Sequence, residues 1–286
     1  MYLPTSISQA RVLITVKAYP KPSGKYEELV CTAGLTEEAK WVRIYPVPYG
    51  FLADNKMYPK YSWVLADLVR NSSDFRPESY RPKQGLDEKF VVESTLGTED
   101  AWAARKSFVL HEVFTSMNEL IALAKGDQKK SLATLRPAEI IGFHVEPTDR
   151  DWKEKWTNQA LQISFNELAQ SPNPEKRKLV RKVPYEYQYE FTTEGDKAPR
   201  NLKIEDWEIG ALYWNCLSST NGDEHAANGL VREKYFHDLA KKRDIYLFLG
   251  TTKQYHNIAP NPFIIIGVFY PPKSLQQPMF DQPASA

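Results

Sequence analysis

The sequence predicts an α+β protein that opens with a small, β-rich barrel and closes with two helices and two buried strands. Three observations lead there. The first part of the chain holds several short β-branched segments joined by polar loops. The last part carries two helical patterns and then two strands that are apolar on both faces. Between them, 20 prolines against 13 glycines punctuate short elements rather than long helices.

The first strand is Arg11-Val12-Leu13-Ile14-Thr15-Val16-Lys17, whose β-branched content suits a pleated, half-buried surface. Leu29-Val30-Cys31-Thr32-Ala33 and Lys40-Trp41-Val42-Arg43-Ile44-Tyr45 follow. Side chains alternate along a strand. Val42 and Ile44 therefore share the core face, and Trp41, Arg43 and Tyr45 share the opposite one, expected in solvent. Trp63 to Arg70 is the next strand and enters a turn at Asn71-Ser72-Ser73-Asp74. Short strands at this density read as a small barrel over residues 1–100.

A mixed, β-rich second unit is expected over 101–195. Arg105 to Val113 has strand composition. Ser116 to Ala124 reads as a helix, since Met117, Leu120, Ile121 and Ala124 recur at helical spacing after a capping Thr115 or Ser116. Glu139 to Glu146 is a strand, Lys153 to Ala169 partly helical, and Tyr185, Tyr187, Tyr189 and Phe191 alternate as a half-buried strand. A third unit, 196–273, pairs helices Ile204–Leu217 and Asp223–Lys242 around the turn Asn221-Gly222. It ends in the strands Ile245–Leu249 and Phe263–Phe269, which are apolar on both faces and so central. The tail 274–286 is Gln-, Pro-, Ser- and Ala-rich and expected to fray.

The composition narrows function. With 37 Lys+Arg against 36 Asp+Glu, the net charge is +1, which gives no global basic field. A nucleic-acid site must then be a local patch. Aromatic content of 13% excludes intrinsic disorder. No apolar run approaches the ~20 residues that span a bilayer, and the start of the chain lacks a basic region before an apolar run, so a cytoplasmic protein without a membrane partner is expected. Cys31 and Cys216 have no C-x-x-C partner and read as reduced core thiols. The five histidines never reach metal-ligand spacing, and phosphate-binding and nucleophile-elbow motifs are missing, so neither a metal nor a cofactor is expected.

Four constellations carry candidate chemistry. The run from Arg70 to Pro82 packs Arg70, Arg76 and Arg81 with Phe75 and Tyr80 into a loop that its prolines keep from being helical. It reads either as a phosphate- and base-contacting loop, since arginine forks suit phosphate and aromatic faces take unpaired bases, or as a surface loop neutralised by Asp74 and Glu78. Lys17, Trp41, Arg43 and Tyr45 form a basic and aromatic barrel face that fits a single strand, or packs under a neighbouring part. Lys176-Arg177-Lys178 with Arg181-Lys182 is a solvated basic loop or a phosphate track. Asp206 and Glu208, with Lys253 from the Gly250-Thr251-Thr252-Lys253 strand end, are the weakest set. They are candidates for a metal-dependent nuclease or base-excising enzyme, or simply acids at a helix N-terminus.

The opening Val12-Leu13-Ile14-Thr15-Val16-Lys17-Ala18-Tyr19-Pro20, then Val30-Cys31-Thr32-Ala33-Gly34 and Trp41-Val42-Arg43-Ile44-Tyr45-Pro46, resembles the start of the dual OB-fold domains of bacterial conflict and defence gene clusters. Those domains open with a strand ending in Lys and an aromatic, a Cys-x-Ala-Gly strand, then Trp-Ile-Arg. Asp206-Trp207-Glu208, Leu249-Gly250-Thr251 and Gly267-Val268-Phe269-Tyr270-Pro271-Pro272 are similar to the Asp-Trp-Glu, Leu-Gly-Thr and Gly-x-Phe-Tyr-Pro-Pro signatures of an uncharacterised bacterial family. The resemblance implies an OB-like barrel over 1–100 and an OB-like second unit over 101–195, and sensing of single-stranded or modified nucleic acid in anti-phage defence, with other defence proteins as partners. Relatives with Cys and His before Asp-Trp-Glu differ here, where Thr192-Thr193-Glu194-Gly195-Asp196-Lys197 stands, and no metal is carried over. The expected function is therefore nucleic-acid binding without a catalytic centre. A nuclease or base-excising enzyme, and a non-catalytic subunit of a larger complex, are the alternatives.

Overall fold

A computed structural model describes residues 3–19, 21–22, 28–47, 58–83, 90–153 and 181–273. The helix expected over 153–169, the basic run Lys176-Arg177-Lys178 and the tail from 274 lie outside the described residues.

The N-terminal strands are β1 (Ser6–Lys17), β2 (Lys21–Pro22), β3 (Glu28–Thr36), β4 (Trp41–Val47), β5 (Ser62–Arg70), β6 (Ser79–Pro82) and β7 (Val91–Thr95). Five of them close a barrel in the order β1-β3-β4-β6-β5, with β5 returning to pair with β1. The β4–β6 pair is parallel and the others are antiparallel. Alternation builds its interior: Val12, Ile14, Val42, Ile44, Val64, Ala66 and Leu68 point inward and pack around Tyr58, Tyr80 and Phe90.

The segment expected as a strand over 105–113 is instead helix α1 (Glu99–Val109). Spacing decides it, because Arg105, Phe108 and Val109 recur at helical spacing and face the barrel, while Trp102, at positive φ in the irregular first turn, packs on Phe269. Phe108 meets Trp63 edge-on with centroids 5.0 Å apart, and the Arg105 guanidinium lies 4.0 Å over the Tyr61 ring. The strand-like composition expected here loses to a helical face that a tertiary partner completes.

The remaining elements are β8 (Val113–Phe114), α2 (Met117–Lys125), β9 (Leu132–Leu135), β10 (Glu139–Pro147), β11 (Tyr185–Thr192), β12 (Arg200–Ile204), α3 (Trp207–Ser219), α4 (Glu224–Arg232, running on in π-helical turns over Glu233–Ala240), β13 (Tyr246–Thr251) and β14 (Phe263–Phe269). Ser116 caps α2 by accepting from Glu119 N–H, as its sequence suggests. Asn221 and Gly222 both take positive φ, 52° and 88°, and turn α3 into α4. Seven strands form one sheet, β10-β11-β12-β14-β13-β9-β8, with the apolar β13 and β14 near its middle. Strands from 113–192 and from 200–269 thus interleave. The expected division at 195 is corrected: 101–195 and 196–273 share a sheet and one core, on which α2, α3 and α4 pack.

The barrel and this sheet meet across a second apolar layer. Leu13, Val16, Leu35, Trp41, Tyr61 and Trp63 of the barrel pack on Leu132, Tyr246, Phe248, Ile266 and Phe269 of the sheet. Each large side chain buried there contributes about 1.5–3 kcal/mol. Among the described residues, no helix is long and apolar enough to cross a membrane.

Candidate functional site

The barrel face expected in solvent is the face that meets the sheet. Trp41 is buried and packs edge-on against Phe248, centroids 5.6 Å apart. Arg43 is 3% exposed. Its guanidinium donates to Ser131 Oγ at 2.9 Å, Ser79 Oγ at 3.2 Å, Ser131 O at 3.2 Å and Thr251 O at 3.4 Å. Glu78 completes the network, accepting from Ser131 N at 3.0 Å and Ser131 Oγ at 2.7 Å. A weakly hydrated guanidinium suits this role, because both of its terminal nitrogens find protein acceptors as it leaves water. Tyr45 remains partly exposed.

The arginine loop is likewise structural for the most part. Arg76 is buried and donates to the Thr251 carbonyl, and it pairs with Asp74 at 2.6 Å. Burial works against the Asp74 carboxylate, but the Arg76 hydrogen bonds and charge outweigh it and hold it down at about 2. Tyr80 is buried in the barrel, its hydroxyl donating to Pro4 O at 2.8 Å. Arg70 is half-buried and Arg81 exposed.

Lys17 is buried too, donating to Tyr58 O at 3.1 Å with its ammonium 5.4 Å from the Trp207 ring. Burial pushes it down to about 8, with repulsion from Lys60 adding to the effect. So of the eight residues expected to contact nucleic acid, Lys17, Trp41, Arg43, Arg76 and Tyr80 are corrected to interior positions.

Asp206 is the N-cap of α3, accepting from Glu208 N–H, and its carboxylate receives Lys60 Nζ at 2.9 and 3.0 Å. The same ammonium reaches Glu208 at 2.9 Å. Burial works against the Lys60 charge, but Asp206 and Glu208 overcome it and raise its pKa. Lys253 belongs elsewhere, donating to Ser73 O at 2.5 Å. The three weak catalytic candidates are thus not one constellation. Among the described residues, no group of three or more His, Cys, Asp or Glu is placed to hold a metal ion.

The open polar surface lies where the second sheet meets α3. Residues after β10 (Arg150, Asp151, Trp152), residues before β11 (Arg181, Lys182, Pro184), α3 (Tyr213, Trp214, Leu217) and Glu224 line a cleft of about 350 Å³. A smaller pocket of about 110 Å³ shares Trp152 and Lys182 with it and extends toward Tyr185, Lys203 and Asp206. The exposed Arg181 lays its guanidinium 3.8 Å over the Trp214 ring and has no acidic partner among the described residues. Arg150 does have one: it pairs with Glu224 at 2.7 and 2.9 Å, and Tyr185 Oη adds a 2.6 Å bond. These hydrogen bonds, Arg150's first, hold the Glu224 carboxylate down at about 2.

Tyr19, at the end of the barrel, ties this cleft together. Its hydroxyl donates to Arg181 O at 2.7 Å and accepts from Trp214 Nε1 at 2.9 Å. A glycine makes room for it, since a Cβ on Gly210 of α3 would overlap the Tyr19 ring. The sequence signalled Arg181-Lys182 as a basic pair and Trp152 as an aromatic. It carried no local signal for Trp214, Tyr213 or Tyr19, which arrive from two other elements.

Residues 113–284 match the family model described as Domain of unknown function (DUF8757), and residues 8–111 match Domain of unknown function (DUF8758). The chain belongs to the DUF8757 family. The break between the two matches falls where α1 ends and the second sheet begins. No curated protein matches the chain.

Proposed function

We propose that this protein binds single-stranded nucleic acid in the cleft between the 148–153 segment and α3. One observation carries the reading: Arg181, exposed and without an acidic partner among the described residues, lies on Trp214 beside Trp152 and Lys182. A guanidinium held flat on an indole offers an unpaired base a plane to stack on and a phosphate a fork of donors. The OB-like reading of the barrel is supported by its order β1-β3-β4-β6-β5 and belongs to the same proposal. In this chain, however, the barrel's Trp41–Arg43 face is spent on holding the sheet, and the ligand surface lies on the second part. A role in bacterial anti-phage defence, with modified bases as targets and other defence proteins as partners, rests on the resemblance of both ends of the sequence, and a cytoplasmic setting on the expectation from its apolar runs and N-terminal composition.

The test is fluorescence anisotropy of labelled dT12 and of a duplex control across a salt series, with products resolved on a gel in magnesium or manganese. Binding without products is expected, with log K falling by about 0.7 per phosphate contact against log salt. Products lost with a chelator favour the nuclease, and no binding at any salt favours the complex subunit.

A further inference from the structure

We infer that the cleft contains a built phosphate subsite next to its base platform, with the Tyr213 hydroxyl as its donor. The inference rests on the single-strand reading and adds which group of the nucleotide is held, and by what.

Tyr213 lines the cleft and is fully buried. Its ring packs edge-on against Trp214, centroids 4.8 Å apart, so the hydroxyl is rigidly placed. That hydroxyl is one of three buried side-chain polar atoms among the described residues that have no hydrogen-bond partner. Its neighbours make the vacancy informative. Tyr185 Oη donates to Glu224, Tyr187 Oη donates to Asn228, and Tyr189 Oη donates to Tyr235 O. Tyr185, whose ring lies 5.6 Å from that of Tyr213, and Tyr187 beside it are thus satisfied, while the Tyr213 hydroxyl is not. A buried donor without an acceptor is costly in the free protein, and a ligand oxygen that reaches it recovers that cost.

The acceptor it fits is anionic. Burial raises the Tyr213 phenol to about 12, and the Glu224 charge adds to the effect, so the group stays a proton donor at neutral pH. Arg181 and Lys182 line the same cleft and supply positive charge. Glu224 contributes the opposite sign, but Arg150 straddles it with two hydrogen bonds. A phosphoryl oxygen would accept from Tyr213 Oη and from the Arg181 edge while its own base lies on the Arg181–Trp214 stack. At about 350 Å³ the cleft suits one nucleotide rather than a run of them. The phosphoryl group belongs either to a strand or to a free mononucleotide, and the chemistry is the same.

The test uses the full chain and its tryptophan fluorescence. Wild type, Tyr213→Phe and Arg181→Ala are titrated with dTMP, thymidine, inorganic phosphate and dT12. Wild type is expected to prefer dTMP over thymidine about tenfold, the gain of one charge-assisted hydrogen-bond set. Tyr213→Phe should bring that preference to within about twofold while leaving thymidine unchanged, and its Tm should equal or exceed that of wild type, because no native hydrogen bond is lost. A preference that survives Tyr213→Phe overturns the subsite, as does an equal loss for dTMP and thymidine or a lowered Tm. Binding of dT12 with no effect of Tyr213→Phe overturns the subsite and leaves the single-strand reading standing. A Tyr213-dependent preference for dTMP without dT12 binding does the reverse. Binding of neither overturns both.

Discussion

Arg43 and Arg181 are both arginines set beside a tryptophan, and their surroundings differ at every point. Arg43 leaves water entirely and exchanges it for Ser79, Ser131 and Thr251 acceptors, between two apolar layers. Arg181 is exposed, lies on Trp214 and has no acidic partner among the described residues. A saturated guanidinium is a fastener, since a ligand could reach it only by breaking bonds the fold has already made. An unsaturated one on an aromatic plane is available. The difference separates structural from ligand-facing arginine better than local sequence does, because Arg43 sits in the more distinctive motif.

The comparison breaks if Arg43 can be removed cheaply. Arg43→Ala is expected to cost about 3–5 kcal/mol, since it leaves buried acceptors and Glu78 uncompensated, and to lower the urea midpoint of the whole chain. Gly210→Ala should cost about 1–3 kcal/mol by overpacking against Tyr19. It should also weaken dT12 binding, because Tyr19 holds Arg181 and Trp214 in register.

Acid sharpens the same contrast. Asp74, held near 2 by Arg76 against an ordinary 3.8, contributes stability that is complete above about pH 4 and lost as pH falls through 2. Unfolding free energies of wild type and Asp74→Asn from urea titrations should differ by about 1–2 kcal/mol near pH 5, allowing for partial solvent contact, and converge at low pH. Arg181→Ala stands at the far end, with stability within about 0.5 kcal/mol of wild type and dT12 affinity reduced about fivefold to tenfold. Equal stability losses in Arg43→Ala and Arg181→Ala would erase the distinction.

How far the sequence could reach follows from where its signals lie. Alternation in 41–45 was enough to separate Val42 and Ile44 from Trp41, Arg43 and Tyr45, and the barrel sorts them that way. Period-2 patterning names two faces but cannot say what covers the second. Here Ser131 and Thr251 cover it, 88 and 208 positions away. The Ser116 cap and the doubly apolar β13 and β14 were legible because their signals are local. Composition at 105–113 favoured a strand, and only the barrel surface shows why Arg105 and Phe108 sit on a helix. The site was half legible: Arg181-Lys182 stood out as a basic pair, while the Trp214–Tyr19 bond spans 195 positions.

The most direct test compares the salt dependence of dT12 binding in wild type and Arg181→Ala by anisotropy. The account predicts that Arg181→Ala shallows the slope of log K against log salt by about 0.7, one phosphate contact, with an unchanged urea midpoint. An unchanged slope and affinity in a folded Arg181→Ala protein would contradict it.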